Sequence, residues 1–144
     1  TPMSWTADAT NAGFSTATPY RALSANSTTA NVQAEVGDPN SLYTFYKTML
    51  ALRNGRPSIA QGSYEAAVAS GATLTFQRAT GAERTLVVVN YGTTAASVAV
   101  AGLPANATLT PLFPAGGAAS TADGSGAAQV ASGPQQVQVF AVTP

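Results

Sequence analysis

Leu74-Thr75-Phe76-Gln77 and Leu86-Val87-Val88-Val89 decide the fold class. The first stretch alternates apolar and polar residues, the period of a strand with one buried face. The second is continuously apolar, as expected of a strand buried on both faces. Thr80-Gly81 supplies a turn between them. The same texture extends outward. Ser63–Ala69, Thr73–Ala79, Arg84–Tyr91, Ala95–Val100, Ala107–Phe113, a short piece near Gln129–Ala131, and Gln135–Val142 read as strands. They are rich in Thr, Val, Tyr and Phe, which suit a pleated, half-buried surface. Ser70-Gly71, Gly102 with Pro104, and Gly116-Gly117 punctuate them. Strands recurring about every 8–12 residues with turn signals between them indicate a sandwich or barrel. Ala115–Gly133, built largely of Gly, Ala and Ser, reads as a flexible loop with at most one short strand. The predicted fold is mainly β: an antiparallel Greek-key β-sandwich preceded by one α-helix and a long irregular segment.

The helix is predicted over residues 38–54. Asp38 is the expected N-cap, its carboxylate accepting from free amides of the first turn. Pro39 would sit at the first helical position, where its missing N–H is harmless. Leu42, Phe45, Tyr46, Met49 and Leu52 form one apolar stripe, with Lys47 and Thr48 turned away. Arg53 suits the negative end of the helix dipole. Asn54-Gly55 and Pro57 end the helix. Residues 1–37 are rich in Thr, Ser, Ala and Asn and show no periodicity. An irregular segment of that length inside a domain is unusual. It points to a functional loop, or to a stretch that belongs against something else.

Counting excludes several functions. The chain has 144 residues, with six Lys or Arg, six Asp or Glu, no His and no Cys. A Ser-His-Asp triad, a Cys-His dyad, a disulfide and a zinc site of Cys or His are therefore impossible. Charged residues make up 8% of the chain, too few and too balanced to engage a phosphate backbone, so no nucleic-acid partner is expected. No apolar run is long enough to span a bilayer, and Thr1-Pro2-Met3-Ser4-Trp5 does not read as a targeting signal. Low charge and abundant Thr, Ser and Ala point toward a periplasmic or secreted rather than cytoplasmic location.

The six acids are Asp8, Glu35, Asp38, Glu65, Glu83 and Asp123. Glycoside hydrolysis needs two carboxylates about 5–10 Å apart in a pocket. Asp38 reads as a helix cap, Glu83 as a hairpin end, Asp123 as part of a turn and Glu65 as a strand start. No catalytic residue, cofactor site or metal site is expected. Gly124-Ser125-Gly126 lacks the strand and helix that a phosphate loop requires. Asn26-Ser27-Thr28 and Asn106-Ala107-Thr108 match the glycosylation acceptor pattern, which matters only in a glycosylating host. Trp5, the single Trp, serves either as a packing anchor or as a stacking platform for a sugar ring.

Thr1-Pro2-Met3-Ser4-Trp5, followed by Asn11-Ala12-Gly13-Phe14-Ser15, resembles a stretch of the oligo-1,6-glucosidase and α-glucosidase-like members of the α-amylase superfamily (glycoside hydrolase family 13). Asp38-Pro39-Asn40-Ser41-Leu42 through Tyr46, then Leu50-Ala51-Leu52-Arg53, resembles their eighth barrel helix. Ser58-Ile59-Ala60-Gln61-Gly62-Ser63-Tyr64 is similar to the entry into their C-terminal β-sandwich. Leu86 through Tyr91 resembles the central strand of that sandwich, and Pro134 through Phe140 its closing strand. Thr6 stands where the family usually has Asp.

The resemblance implies that residues 1–62 are the end of a truncated TIM barrel, the loop after the eighth strand plus the last helix. Residues 63–144 would be the C-terminal sandwich. It implies that the catalytic carboxylates lie upstream, that Thr1 is a cut and that Pro144 is a true C-terminus. The intact enzyme would be a retaining α-glucosidase or transglucosidase acting on α-linked glucosides. This chain alone would be inactive, with Met3 and Trp5 on a loop near the substrate. Its expected partners are the missing N-terminal barrel and, through the Leu42–Leu52 stripe, a second copy of itself. The rival reading is a free-standing, non-catalytic carbohydrate-binding module. Such a module displays aromatics, whereas most of Tyr64, Phe76, Tyr91, Phe113 and Phe140 fit buried alternation.

Overall fold

The computed structural model describes residues 1–81 and 83–144. The chain divides into two compact units, Thr1–Ala51 and Leu52–Pro144, and the division falls within a helix.

The first unit is held by turns and one short helix, α1 (Val32–Val36). Asn31 caps α1, its side-chain oxygen accepting from the Ala34 amide at 3.0 Å. Its amide nitrogen donates back to the Ser27 carbonyl at 3.1 Å. The segment expected to be wholly irregular thus contains a helix, too short to show periodicity. The longer helix, α2 (Leu42–Gly55), starts later than expected. Ser41 rather than Asp38 is its N-cap: Ser41 Oγ accepts from the Thr44 amide at 3.1 Å, and the Ser41 carbonyl accepts from the Phe45 amide at 3.0 Å. The Asp38 carboxylate instead accepts from the Asn40 amide at 2.8 Å, closing a turn. Pro39 lies in that turn, outside the helix. The Glu35 carboxylate takes the Tyr43 amide at 3.1 Å, satisfying another free donor of the first turn. The apolar stripe of α2 is not buried: no α2 residue is buried, and Leu42 is 64% exposed.

The second unit opens with α3 (Pro57–Gln61) and continues through β1 (Ser63–Ser70), β2 (Thr73–Thr80), β3 (Glu83–Asn90), β4 (Ala96–Val100), β5 (Thr108–Phe113), β6 (Ser120–Thr121), β7 (Ala128–Ser132) and β8 (Gln136–Thr143). One helix was expected, and three occur among the described residues. The sequence also gives no sign of β6, a two-residue strand inside the Gly/Ala/Ser loop. All pairings are antiparallel. Six strands form one sheet in the order β1-β2-β3-β8-β5-β6, and β4 pairs with β7 in a second sheet. The chain passes from β3 to the second sheet and back, and the last strand inserts between β3 and β5.

The core lies between the sheets. Leu86 and Val88 of β3, Leu109 of β5, and Phe140 and Val142 of β8 meet Val98 and Val100 of β4 and Val130 of β7. β3 is buried along its inner face and, on its outer face, only at Thr85. Leu86 and Val88 are wholly buried, while Val87 and Val89 on the other face are half-buried. The outer face is covered by α3 at the Thr85 end, where Ser58 Oγ and Thr85 Oγ1 share a hydrogen bond of 2.7 Å. Arg56 Nε donates to the same Thr85 hydroxyl at 3.1 Å. The Glu83 carboxylate accepts from the Ser58 amide at 2.7 Å, capping a helix whose own N-cap residue offers no side-chain acceptor. At the opposite end, buried Asn90 is fully satisfied. Its amide nitrogen donates to the Thr94 and Gly133 carbonyls, and its oxygen accepts from the Gly92 amide.

Candidate functional site

The N-terminal loop is a rigid frame that presents large apolar side chains. The Ala12 carbonyl accepts from two amides, Trp5 at 2.8 Å and Thr6 at 3.0 Å. Ala12 and Gly13 both adopt left-handed backbone, with φ of 52° and 68°. Two such residues in succession reverse the chain, and Gly supplies the second without a Cβ penalty. Asn11 locks the turn: its side-chain oxygen accepts from the Gly13 amide at 2.9 Å, and its carbonyl accepts from the Phe14 amide at 2.9 Å. A Cβ at position 13 would lie 3.0 Å from Thr6 Cγ2 and 3.4 Å from Trp5 Cβ. Thr6 therefore packs its methyl against the turn, and its hydroxyl accepts the Asp8 amide at 3.4 Å. The loop is also pinned to α1. The Val32 and Gln33 amides donate to the Ser4 and Trp5 carbonyls, each at 3.0 Å.

Met3 and Trp5, the side chains expected near substrate, stand on this frame 51% and 48% exposed. Phe14 is 51% exposed and Tyr20 almost wholly so. In the sequence Phe14 stands out only as part of the Asn11–Ser15 motif. The signal that marks it is an aromatic residue directly after a left-handed Ala-Gly pair.

The carboxylates are committed to local structure. Besides the Glu35, Asp38 and Glu83 contacts already described, Asp8 accepts from the Thr10 amide at 2.7 Å. Glu65 pairs with Arg84 at 2.9 Å and accepts from Ser63 Oγ. Asp123 accepts from the Ser125 amide and hydroxyl and from the Ala127 amide. These hydrogen bonds stabilise the charged form. The Ser63 and Arg84 bonds hold Glu65 below the usual carboxylate range, the Ser58 side chain and amide do so for Glu83, and the Ser125 and Ala127 donors do so for Asp123. A general acid needs the opposite, a raised pKa. Among the described residues no three acidic side chains gather where they could hold a metal ion. No described helix is long and apolar enough to cross a membrane.

Residues 1–62 match the family described as "Alpha amylase, catalytic domain". Over 92 residues the chain is 34% identical to an oligo-1,6-glucosidase of Parageobacillus thermoglucosidasius, covering 63% of this chain and 16% of that protein. Over 97 residues it is 34% identical to a probable alpha-glucosidase of Rhizobium meliloti, covering 67% of this chain and 17% of that one. The crystal structure of the trehalulose synthase MutB from Pseudomonas mesoacidophila superposes on 99% of this chain and 25% of its own, with 29% identity and a TM-score of 0.74. The chain belongs to the α-amylase family. It is a partial match to its relatives, spanning 16% and 17% of the two curated ones. Within this α-amylase-family chain, the N-terminal loop and both helices of the first 55 residues fall inside the catalytic-domain match. So does α3, which packs on the sandwich. The antiparallel β domain is like the C-terminal β domain of these enzymes.

Proposed function

We propose that this chain is the C-terminal portion of a retaining α-glucosidase or transglucosidase acting on α-linked glucosides, and that it serves the enzyme structurally rather than chemically. In the intact enzyme a Glu would protonate the glycosidic oxygen and an Asp would form the glycosyl intermediate. Both would lie in polypeptide outside this chain. The observation that carries this reading is the state of the six carboxylates: each accepts hydrogen bonds that fix a turn, a helix end or an ion pair. The loop bearing Met3 and Trp5 would border the substrate on the leaving-group side. Exposure of Leu42, Tyr46 and Leu50 on α2 supports a barrel partner covering that helix in the complete enzyme, with self-association of the chain when the barrel is absent. We place the enzyme outside the cytoplasm, which fractionation of source cells tests.

The activity test compares the pure chain with the complete polypeptide on a nitrophenyl α-glucoside. The complete polypeptide should turn over and the chain should not. Turnover by the chain, abolished by mutating two of its own acids, would overturn the proposal.

One observation favours the carbohydrate-binding module as a second reading. Tyr64 is 57% exposed on the outer face of the large sheet, its ring 5.0 Å from that of Phe76. Tyr91 is also exposed, so of the five aromatics in residues 63–144 only Phe140 is buried. Saccharide binding by the chain that is lost on Tyr64→Ala would favour this reading.

A further inference from the structure

We propose that Phe14 is a specificity-determining residue of the same substrate-bordering loop, a second ring beside Trp5 that contacts the leaving-group sugar. The inference rests on the glucosidase reading above and names a residue which that reading does not use.

The geometry points to Phe14 in three ways. First, the backbone joins it to Trp5. The Trp5 amide is bonded to the Ala12 carbonyl at 2.8 Å, and a Cβ at position 13 would lie 3.4 Å from Trp5 Cβ, so Phe14 follows directly on the backbone that packs against Trp5. Second, the turn is over-determined. The Asn11 side chain, the Asn11 carbonyl and the Ala12 carbonyl together fix four amides, those of Gly13, Phe14, Trp5 and Thr6. Ala12 accepts a left-handed conformation that a non-glycine residue rarely adopts, and it is wholly buried. Such strain persists only where the surroundings enforce it, and it clusters at functional sites. Third, the frame spends this rigidity on holding exposed rings. Phe14 and Trp5 are about half exposed, whereas the alanine between them in the hydrogen-bonded turn is buried.

The chemistry follows from the side chain. A phenyl ring carries no donor or acceptor, so it reads only the apolar C–H face of a pyranose. It would favour substrates whose leaving group is itself a sugar ring, and it would be indifferent to a leaving group without one.

The experiment uses the complete enzyme carrying this chain and two substrates, isomaltose and α-glucosyl fluoride. Fluoride departs without a ring to stack. Phe14→Ala should lower the ratio of kcat/KM for isomaltose to kcat/KM for the fluoride by about tenfold. Phe14→Tyr should restore the ratio. A general loss of folded enzyme cancels in the ratio. An unchanged ratio in Phe14→Ala, or a ratio not restored by Phe14→Tyr, overturns the role of Phe14. Failure of the unmutated enzyme to turn over either substrate would instead overturn the glucosidase reading, so the two failures are distinguishable.

Discussion

The two compact units are stabilised by different means. Among the described residues, Leu52–Pro144 holds all the buried apolar side chains but one, and Thr1–Ala51 holds only Ala12. The first unit buries Ser27, Asn31 and Ser41 instead. It is a mesh of side-chain-to-backbone hydrogen bonds around turns, with its large apolar groups outside. A net hydrogen bond contributes about 0.5–1.5 kcal/mol, while burying a Leu or Phe contributes about 1.5–3 kcal/mol. The contrast teaches that the first unit can be well ordered in geometry and still be weak in free energy.

Amide exchange tests this difference most directly. Leu86–Val89 should be protected more strongly than Met3–Val36 by several powers of ten, because core strands open only with global unfolding. Equal protection would break the comparison. Next in size is Leu86→Ala. Leu86 is wholly buried between the sheets, and its truncation should cost about 2–5 kcal/mol in chemical denaturation of the second unit. A loss confined to a few tenths would mean that the core is looser than the packing indicates.

Gly62→Ala sharpens where the second unit begins. A Cβ there would lie 2.3 Å from the Ser58 carbonyl and 2.7 Å from the Ala79 carbonyl, both backbone atoms. The strain should cost about 1–3 kcal/mol and appear in the unfolding transition of the sandwich. No change in that transition would detach α3 from the sandwich. Helix capping gives a smaller effect. Ser41→Ala should cost about 1 kcal/mol of helix stability, followed by far-ultraviolet ellipticity on heating. Asp38→Ala should cost less, because Asp38 closes a turn before the helix. The reverse order would restore Asp38 as the cap.

The smallest effect is that of pH. Glu83 is held below its ordinary value by the Ser58 side chain first and the Ser58 amide second, and Glu65 likewise by Ser63 and Arg84. A group with a depressed folded pKa contributes stability that is complete above its unfolded value and lost as pH falls through its folded value. The melting temperature of the sandwich should therefore decline slightly as pH drops below the ordinary carboxylate value of 4.5. Glu83→Gln should flatten that decline, and an unchanged slope would remove Glu83 from the α3 latch.

The β architecture is legible in the order of the amino acids. Seven of the eight strands follow from alternation and turn residues, because period-two patterning and Gly punctuation act locally. The composition also settles what the chain lacks, since no fold can supply a His or a Cys. The left-handed Ala12, the capping by Ser41 and the exposure of Phe14 depended on tertiary structure. The first two are settled by partners several residues away: Trp5 and Thr6 for Ala12, Glu35 and Thr44 for the start of α2. Asp38-Pro39 carries a sound local signal for a helix start, yet Ser41 offers a second acceptor three residues on, and the contact with Glu35 decides between them. Likewise Leu86-Val87-Val88-Val89 is apolar throughout, but α3 covers only the Thr85 end of its outer face. Hydrophobicity states which residues can be buried, and only the arrangement of neighbours states which of them are.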